Sequence, residues 1–379
     1  MKLRLHWAAA AAAAALLAAC GGGGADTTPA AAITSVKVVG DSLADSGTFG
    51  IKFTVQGSAP TGPGSTPIWP ERVAGSYGQT LCPHYVSAGS GFNTQAGCTN
   101  YAVGGGAINY FKAPTAPQSI VRQLKDAGAA GYGAGDLLLI DGGGNDAGDL
   151  ISAYLAASKD GGQSYAALLG TVLDAATVNT LLAGGAAGLA QAGGVYMQAL
   201  ATQFAATIQV QALDKGAPRV AVLNMPGVTL TPKFRMVLAS IAAANGAQAA
   251  AQLEALFDGW VLAFNTKLAA QLAGDKRVAV VDFYASFKDQ AAHPAQYSYT
   301  NVTTPVCPAT GVDGNGLPIY SFPACTAAAL SAMTPPQGAT GGADWWKSYA
   351  FSDFFHPTPY AHQLMGQLVS RSLSQAGWL

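Results

Sequence analysis

Four short runs of apolar residues set the frame of this chain. Ser35 to Val39 (SVKVV) is β-rich and stops at Gly40. Asp136 to Ile140 (DLLLI) is uninterrupted and ends just before Gly142-Gly143-Gly144, the pattern of a strand buried on both faces. Arg219 to Leu223 (RVAVL) and Arg277 to Asp282 (RVAVVD) repeat it. Between these runs the period changes to that of helices: over Ser119 to Ala129, over Ala153 to Leu213, and through residues 233–273. Gly184-Gly185 and Gly193-Gly194 are expected to interrupt the second stretch. Residues 51–80, rich in Gly, Pro and Ser, read as a long surface loop. A last helix is predicted from Thr358, as N-cap with Pro359 at the first helical position. Its apolar stripe is Ala361, Leu364, Met365, Leu368 and Val369.

Strands alternating with helices imply an α/β fold, an open parallel sheet covered on both faces. Ligands in such folds bind beyond the carboxyl ends of the strands. There is no internal repeat and no linker after residue 32, so residues 33–379 are expected to form one domain.

The amino terminus follows a different logic. Lys2 and Arg4 precede an apolar run from Trp7 to Leu16, and Leu17-Ala18-Ala19-Cys20 closes it. The run is shorter than the roughly 20 residues of a membrane-spanning helix, so residues 1–19 read as a cleavable signal. Cys20 resembles the lipobox cysteine of bacterial lipoproteins, which implies lipidation there. Residues 20–32 then become a flexible tether. Gly21, where an aspartate would favour inner-membrane retention, points to the outer membrane. The plain alternative is a secretory signal with an incidental cysteine.

The remaining cysteines, Cys82, Cys98, Cys307 and Cys325, are an even set in an exported chain, which suggests disulfides. Four cysteines allow three connectivities; local pairs 82–98 and 307–325 are favoured because each closes a Gly/Pro-rich loop. With no Cys-x-x-Cys, neither a metal nor a redox role is expected. A formal net charge of -1, with 10% charged residues, leaves no basic field for nucleic acid.

Candidate chemistry falls at the ends of the predicted strands. Ser42, in Gly40-Asp41-Ser42-Leu43, follows the first strand and is expected at a helix start, where a serine is either a nucleophile or a helix cap. Among five histidines, His356 stands out because Asp353 lies three residues before it, a spacing that lets the carboxylate orient the ring. His6 is in the signal, His84 lies near Cys82, and His362 points to another face of the last helix. His293, with Asp289 four residues upstream, is the decoy and reads as a surface turn. Asn100 to Gly106 (NYAVGGG) offers backbone N–H groups in a glycine turn, and Asn145 offers an amide directly after the DLLLI strand.

In order, the chain shows G-D-S-L, N-x-A-x-x-G, G-x-N-D and D-x-x-H-P. This series resembles the GDSL family of SGNH hydrolases, from Val39 to about Leu373. The resemblance implies a flavodoxin-like three-layer α/β/α sandwich and a serine carboxylester hydrolase that needs no cofactor. It makes Ser42 the nucleophile and Asp353 and His356 the other triad members. The oxyanion hole would combine the Ser42 N–H, the Asn145 amide and the Gly105 N–H, with Gly104 open because three glycines run together. Ester or lipid substrates are implied. The sequence around Ser42 and His356 looks most like the lipase, esterase and phospholipase/acyltransferase branch, with Gly142-Gly143-Gly144 as a departure that would widen the site. A phospholipase/acyltransferase is one alternative; a surface lipoprotein that only binds is another. Leu168 to Leu189 reads as a lid or acyl-chain wall, or else as packed helix. Trp345, Trp346, Tyr349 and Phe351 read as cleft lining or as packing beneath it.

Overall fold

A computed structural model describes residues 32–314 and 316–379. The expected signal, the expected tether up to residue 31 and Cys20, the expected lipidation site, lie outside the described residues. Ile33–Leu379 forms one compact unit.

The four apolar runs become the four strands of a parallel central sheet. They are β1 (Ser35–Val39), β2 (Asp136–Ile140), β3 (Val220–Leu223) and β4 (Val278–Val281), hydrogen-bonded in that order. Alternate residues of one strand enter different cores, as the two-residue period requires. On β2, Leu138 and Ile140 join a large core with helices Ile120–Ala129, Gly185–Ile208 and Ala247–Leu272. Leu137 and Leu139 join a second core with helices Trp69–Ser76 and Pro359–Gln375. Burial on both faces is why β2 and β3 carry no polar alternation, whereas β1 alternates, its Lys37 buried against Asp136. The result is a mixed α/β fold with a parallel central sheet. The last helix is capped by Thr358, whose Oγ1 accepts from the Ala361 N–H at 3.2 Å.

Three local expectations are corrected. The segment 51–80 is not only loop: Trp69–Ser76 is helical, and Trp69, Val73 and Ala74 are fully buried. Glu71 fixes its start by accepting from the Ile68 N–H at 2.9 Å, and the buried Lys52 pairs with Glu71 at 2.7 Å. The surrounding Gly, Pro and Ser hid these two turns. Gly193-Gly194 does not break its helix, which runs from Gly185 to Ile208. A Cβ on Gly193 would lie 2.2 Å from the Trp260 ring, so this glycine admits an indole rather than a turn. The 233–273 stretch is two helices, Pro232–Asn245 and Ala247–Leu272, parted at Gly246 with φ +89°.

Two disulfides, Cys82–Cys98 and Cys307–Cys325, are formed, and they fit an extracellular or periplasmic setting. No helix among the described residues is long and apolar enough to cross a membrane. Trp345, Trp346 and Tyr349 pack in a satellite core around Cys307–Cys325 and do not line the cleft. Leu168, Leu169 and Val178 are buried in the large core, while most of residues 170–187 is exposed or partly exposed around the helix Ala175–Ala183.

Candidate active site

The strand ends bring four distant segments together, and backbone hydrogen bonds explain how. Ser42 follows β1 in a tight turn; no helix begins there, contrary to expectation. The Asp41 carboxylate accepts from the Leu43 N–H at 2.9 Å, and the Asp41 carbonyl from the Ala44 N–H at 3.2 Å. Gly40 is required at the entry because a Cβ there would lie 1.5 Å from Asp141 Oδ1. That carboxyl, one residue past β2, accepts the Asp41 N–H at 3.1 Å and so couples the two strand ends.

The Asn100 segment lies along the free edge of β1: the Tyr101 N–H donates to Val38 O at 2.7 Å and the Val103 N–H to Gly40 O at 3.2 Å. Asn100 itself is fully buried and structural, its amide bridging Ala44 O at 2.7 Å and the Ala102 N–H at 2.9 Å. The glycine turn follows. Asp45 Oδ2 accepts the Gly104 N–H at 2.8 Å, which spends that donor. The Gly105 N–H has no partner among the described residues, and Gly105 adopts φ +75° at the cleft wall. Asn145 opens the helix Gly144–Asp160, and one N–H of its amide donates to Gly106 O at 2.8 Å. The next residue, Asp146, accepts from the Ile108 and Asn109 N–H groups at 2.9 and 2.7 Å.

Asp353 and His356 lie in the turn between the strand Tyr349–Phe351 and the last helix. Asp353 Oδ1 accepts the backbone N–H groups of Phe355 and His356 at 2.7 and 2.6 Å, which curls the turn back on itself. Its Oδ2 faces His356 Nδ1 at 2.9 Å, and His356 Nε2 lies 2.8 Å from Ser42 Oγ. Ser42 and Asp353 are buried, while His356 is partly exposed to an open cleft of about 310 Å³ that Ser42, Gly105 and Asn145 also line.

Burial alone would raise the Asp353 carboxyl, but the His356 charge and hydrogen bonds from His356 and Phe355 outweigh it and hold it below its usual value. Asp41 is pushed up to about 6 by burial, against the Leu43 N–H and the His356 charge. Asp141 is driven well up by burial and by Asp41, and Asp146 is raised to about 6, again by burial. The other histidines have other surroundings. His362 is fully buried and held neutral by desolvation. His84 stacks against Tyr101, and His293 is exposed with Asp289 at 2.8 Å. Among the described residues no group of three or more His, Cys, Asp or Glu is placed to hold a metal.

Several residues were missed in the sequence. Phe53 stacks on the His356 ring at 5.2 Å, and Phe322, inside the Cys307–Cys325 loop, meets it edge-on at 5.4 Å. Neither carries a sequence signal, since both reach the histidine across long gaps in the chain. Asp45 and Asp146 were within the recognised blocks and could have been singled out as ties between them. Lys233, whose ammonium lies over the Phe354 and Phe355 rings at 5.6 and 5.9 Å, closes the far wall of the cleft.

A family model for GDSL-like lipases/acylhydrolases matches residues 36–369. No curated protein matches the chain. Among solved structures, the crystal structure of the lipase Lip_vut3 from a goat rumen metagenome is similar at 15% identity. That match covers 90% of this chain and 97% of the other, with a TM-score of 0.37.

Proposed function

Because the chain belongs to the GDSL-like lipase/acylhydrolase family, we propose that it is a serine carboxylester hydrolase with Ser42, His356 and Asp353 as its triad. The observation that carries this reading is the unbroken chain of contacts Asp353 Oδ2–His356 Nδ1, 2.9 Å, and His356 Nε2–Ser42 Oγ, 2.8 Å. With Nδ1–H donated to the carboxylate, Nε2 is the acceptor that takes the serine proton. Ser42 Oγ then bonds to the ester carbonyl carbon, and the negative charge moves to the carbonyl oxygen. The Ser42 and Gly105 N–H groups and the free amide N–H of Asn145 stabilise that oxygen. Commitment of the Gly104 N–H to Asp45 supports Gly105 as the donor. His356 gives its proton to the leaving alkoxide, the alcohol departs, and an acyl-enzyme remains. Water, deprotonated by His356, cleaves the acyl bond and returns the serine its proton.

The helices on both faces of the sheet support reading the fold as a three-layer α/β/α sandwich. The domain order we infer is a signal over 1–19, a tether over 20–32 and the hydrolase over 33–379. Lipid on Cys20 would hold the enzyme at the outer membrane. The test is hydrolysis of p-nitrophenyl esters by the purified protein and by Ser42→Ala. Loss of turnover on the order of 10⁴-fold or more is expected. Undiminished turnover in Ser42→Ala, or no ester hydrolysed by the wild type, would overturn the reading.

A further inference from the structure

Beside the candidate nucleophile lies a second, partly open space that the acyl-transfer steps do not use. It is a cavity of about 60 Å³ beyond the ends of β2, β3 and β4, and its walls are apolar: Leu43, Phe283, Phe287, Val302, Phe351 and Phe355. Its polar groups are few. The Tyr299 hydroxyl donates to Gln290 Oε1 at 3.2 Å, and these two residues satisfy each other in the wall. Asp41 and Asp141 border the cavity, but each is engaged along its rim, Asp41 accepting from the Leu43 N–H at 2.9 Å and Asp141 from the Asp41 N–H at 3.1 Å. An apolar space of this kind does not hold water well and is suited to alkyl groups.

The cavity adjoins the reacting atoms. Asp41 and Leu43 flank Ser42 in the chain and Pro357 follows His356, and all three line it. Gly144 and Phe355 line both this cavity and the open cleft. The Phe355 ring closes on Gly144, with its Cζ 3.9 Å from where a Cβ would be, so the partition between the two spaces is one phenyl group facing a residue without a side chain. Phe355 is itself partly exposed. The unusual third glycine of the Gly142-Gly143-Gly144 run thus leaves the passage to a single rotatable ring.

The geometry points to this cavity as the site for the acyl chain of the ester, with Phe355 as its door. This rests on the reading of Ser42 as nucleophile. About 60 Å³ offers room for roughly four water-sized spheres. That suits a butanoyl to hexanoyl chain and excludes a hexadecanoyl one.

The experiment is a kcat/KM series on p-nitrophenyl esters from acetate to hexadecanoate, with the leaving group constant. Wild-type values should rise about fourfold per buried methylene, peak at butanoyl to hexanoyl, and fall beyond. Ala350 lines the cavity, and Ala350→Leu should lower the hexanoate-to-acetate ratio by about tenfold. Phe355→Ala should move the optimum to longer chains, and it decides the matter if Ala350→Leu does not fold. A wild-type optimum at hexadecanoate would overturn the assignment. So would profiles of both variants that superimpose on the wild type while turnover still requires Ser42. A parallel series of alkyl acetates that responds to Phe355→Ala in place of the acyl series would hand the cavity to the alcohol and also overturn it. Turnover that survives Ser42→Ala is a different failure, that of the nucleophile.

Discussion

Two aspartate–histidine pairs in this chain have nearly the same separation. Asp353 faces His356 at 2.9 Å, and Asp289 faces His293 at 2.8 Å. The first pair has side chains 7% and 14% exposed, the second 46% and 54%. In the first, the carboxylate also accepts two backbone N–H groups, and the far nitrogen of the ring reaches Ser42. In the second, the carboxylate is shared with the Tyr297 hydroxyl, and no serine is hydrogen-bonded to the ring among the described residues. A carboxylate near an imidazole is therefore common property. What differs is that the Asp353 pair is held on all but its cleft side, with Phe53 and Phe322 against the ring, so the ring's direction is set before substrate arrives.

The sharpest way to break this contrast is Asp353→Asn. The amide oxygen still accepts the turn's backbone N–H groups, so the turn survives. The amide nitrogen then faces His356 Nδ1 as a donor, which favours the tautomer with a proton on Nε2, and such a ring cannot take the serine proton. A loss in kcat on the order of 10³–10⁴ is expected, with little change in KM, read by steady-state ester hydrolysis. A loss under tenfold would show that Asp353 shapes the turn and nothing more.

Asn145→Ala tests the cleft side of the same pair. His356 and Ser42 keep their geometry, but one oxyanion donor goes, and kcat should fall on the order of 10²–10³. Asp45 provides an indirect check of Gly105. Its carboxylate binds the Gly104 N–H and leaves the next one free, so Asp45→Asn should affect turnover while leaving the Asp353–His356 contact in place.

The fold was readable where burial dictates composition. Beyond Asp136, β2 is a continuous apolar run, as are β3 and β4, because cores pack on both faces of the sheet; β1 departs from this with Lys37, which is buried and paired with Asp136. The candidate site was readable for a related reason: Ser42, Asn145 and the Gly105 turn follow strand ends, and Asp353 and His356 are local to one another. The unread part depends on contacts between residues far apart in the chain. Phe53 lies in a segment whose glycines and prolines signal loop, and only the tertiary fold lays it on His356. The choice between Gly104 and Gly105 needed the position of Asp45. The Gly193-Gly194 pair looked like a break because the residue that occupies the gap, Trp260, lies in another helix.

A smaller effect separates the buried acids beneath the site from the exposed ones. Burial raises Asp41 from 3.8 to about 6, so the folded state holds its proton more tightly than the unfolded chain. Stability associated with this group is present below about pH 4 and is lost as pH rises to 6. Asp41→Asn keeps an acceptor for the Leu43 N–H and removes that loss. At pH 7.5 it should be more stable than the wild type by on the order of 3 kcal/mol, and the difference should vanish near pH 4. Urea denaturation at the two pH values measures it, and a variant less stable at both would show that the carboxylate charge is needed.

The smallest effect belongs to the exposed pair. The Tyr297 hydroxyl, more than His293, holds the Asp289 carboxyl below its usual value. A depressed acid contributes stability above its unfolded pKa and loses it as pH falls through the folded one, so any contribution is present at neutral pH and is lost only in acidic solution. Both side chains face solvent, where ion pairs are weak and screened, and about 1 M salt shortens the Debye length to about 3 Å. Asp289→Asn and His293→Ala should each change kcat/KM by less than about twofold, and salt should erase any difference in melting temperature. The Asp353–His356 pair, shielded by Phe53 and Phe322, should keep its kinetic effect at the same salt. If His293→Ala instead slowed ester hydrolysis as much as Asp353→Asn, proximity alone would make a base, and the burial and packing around His356 would be incidental to it.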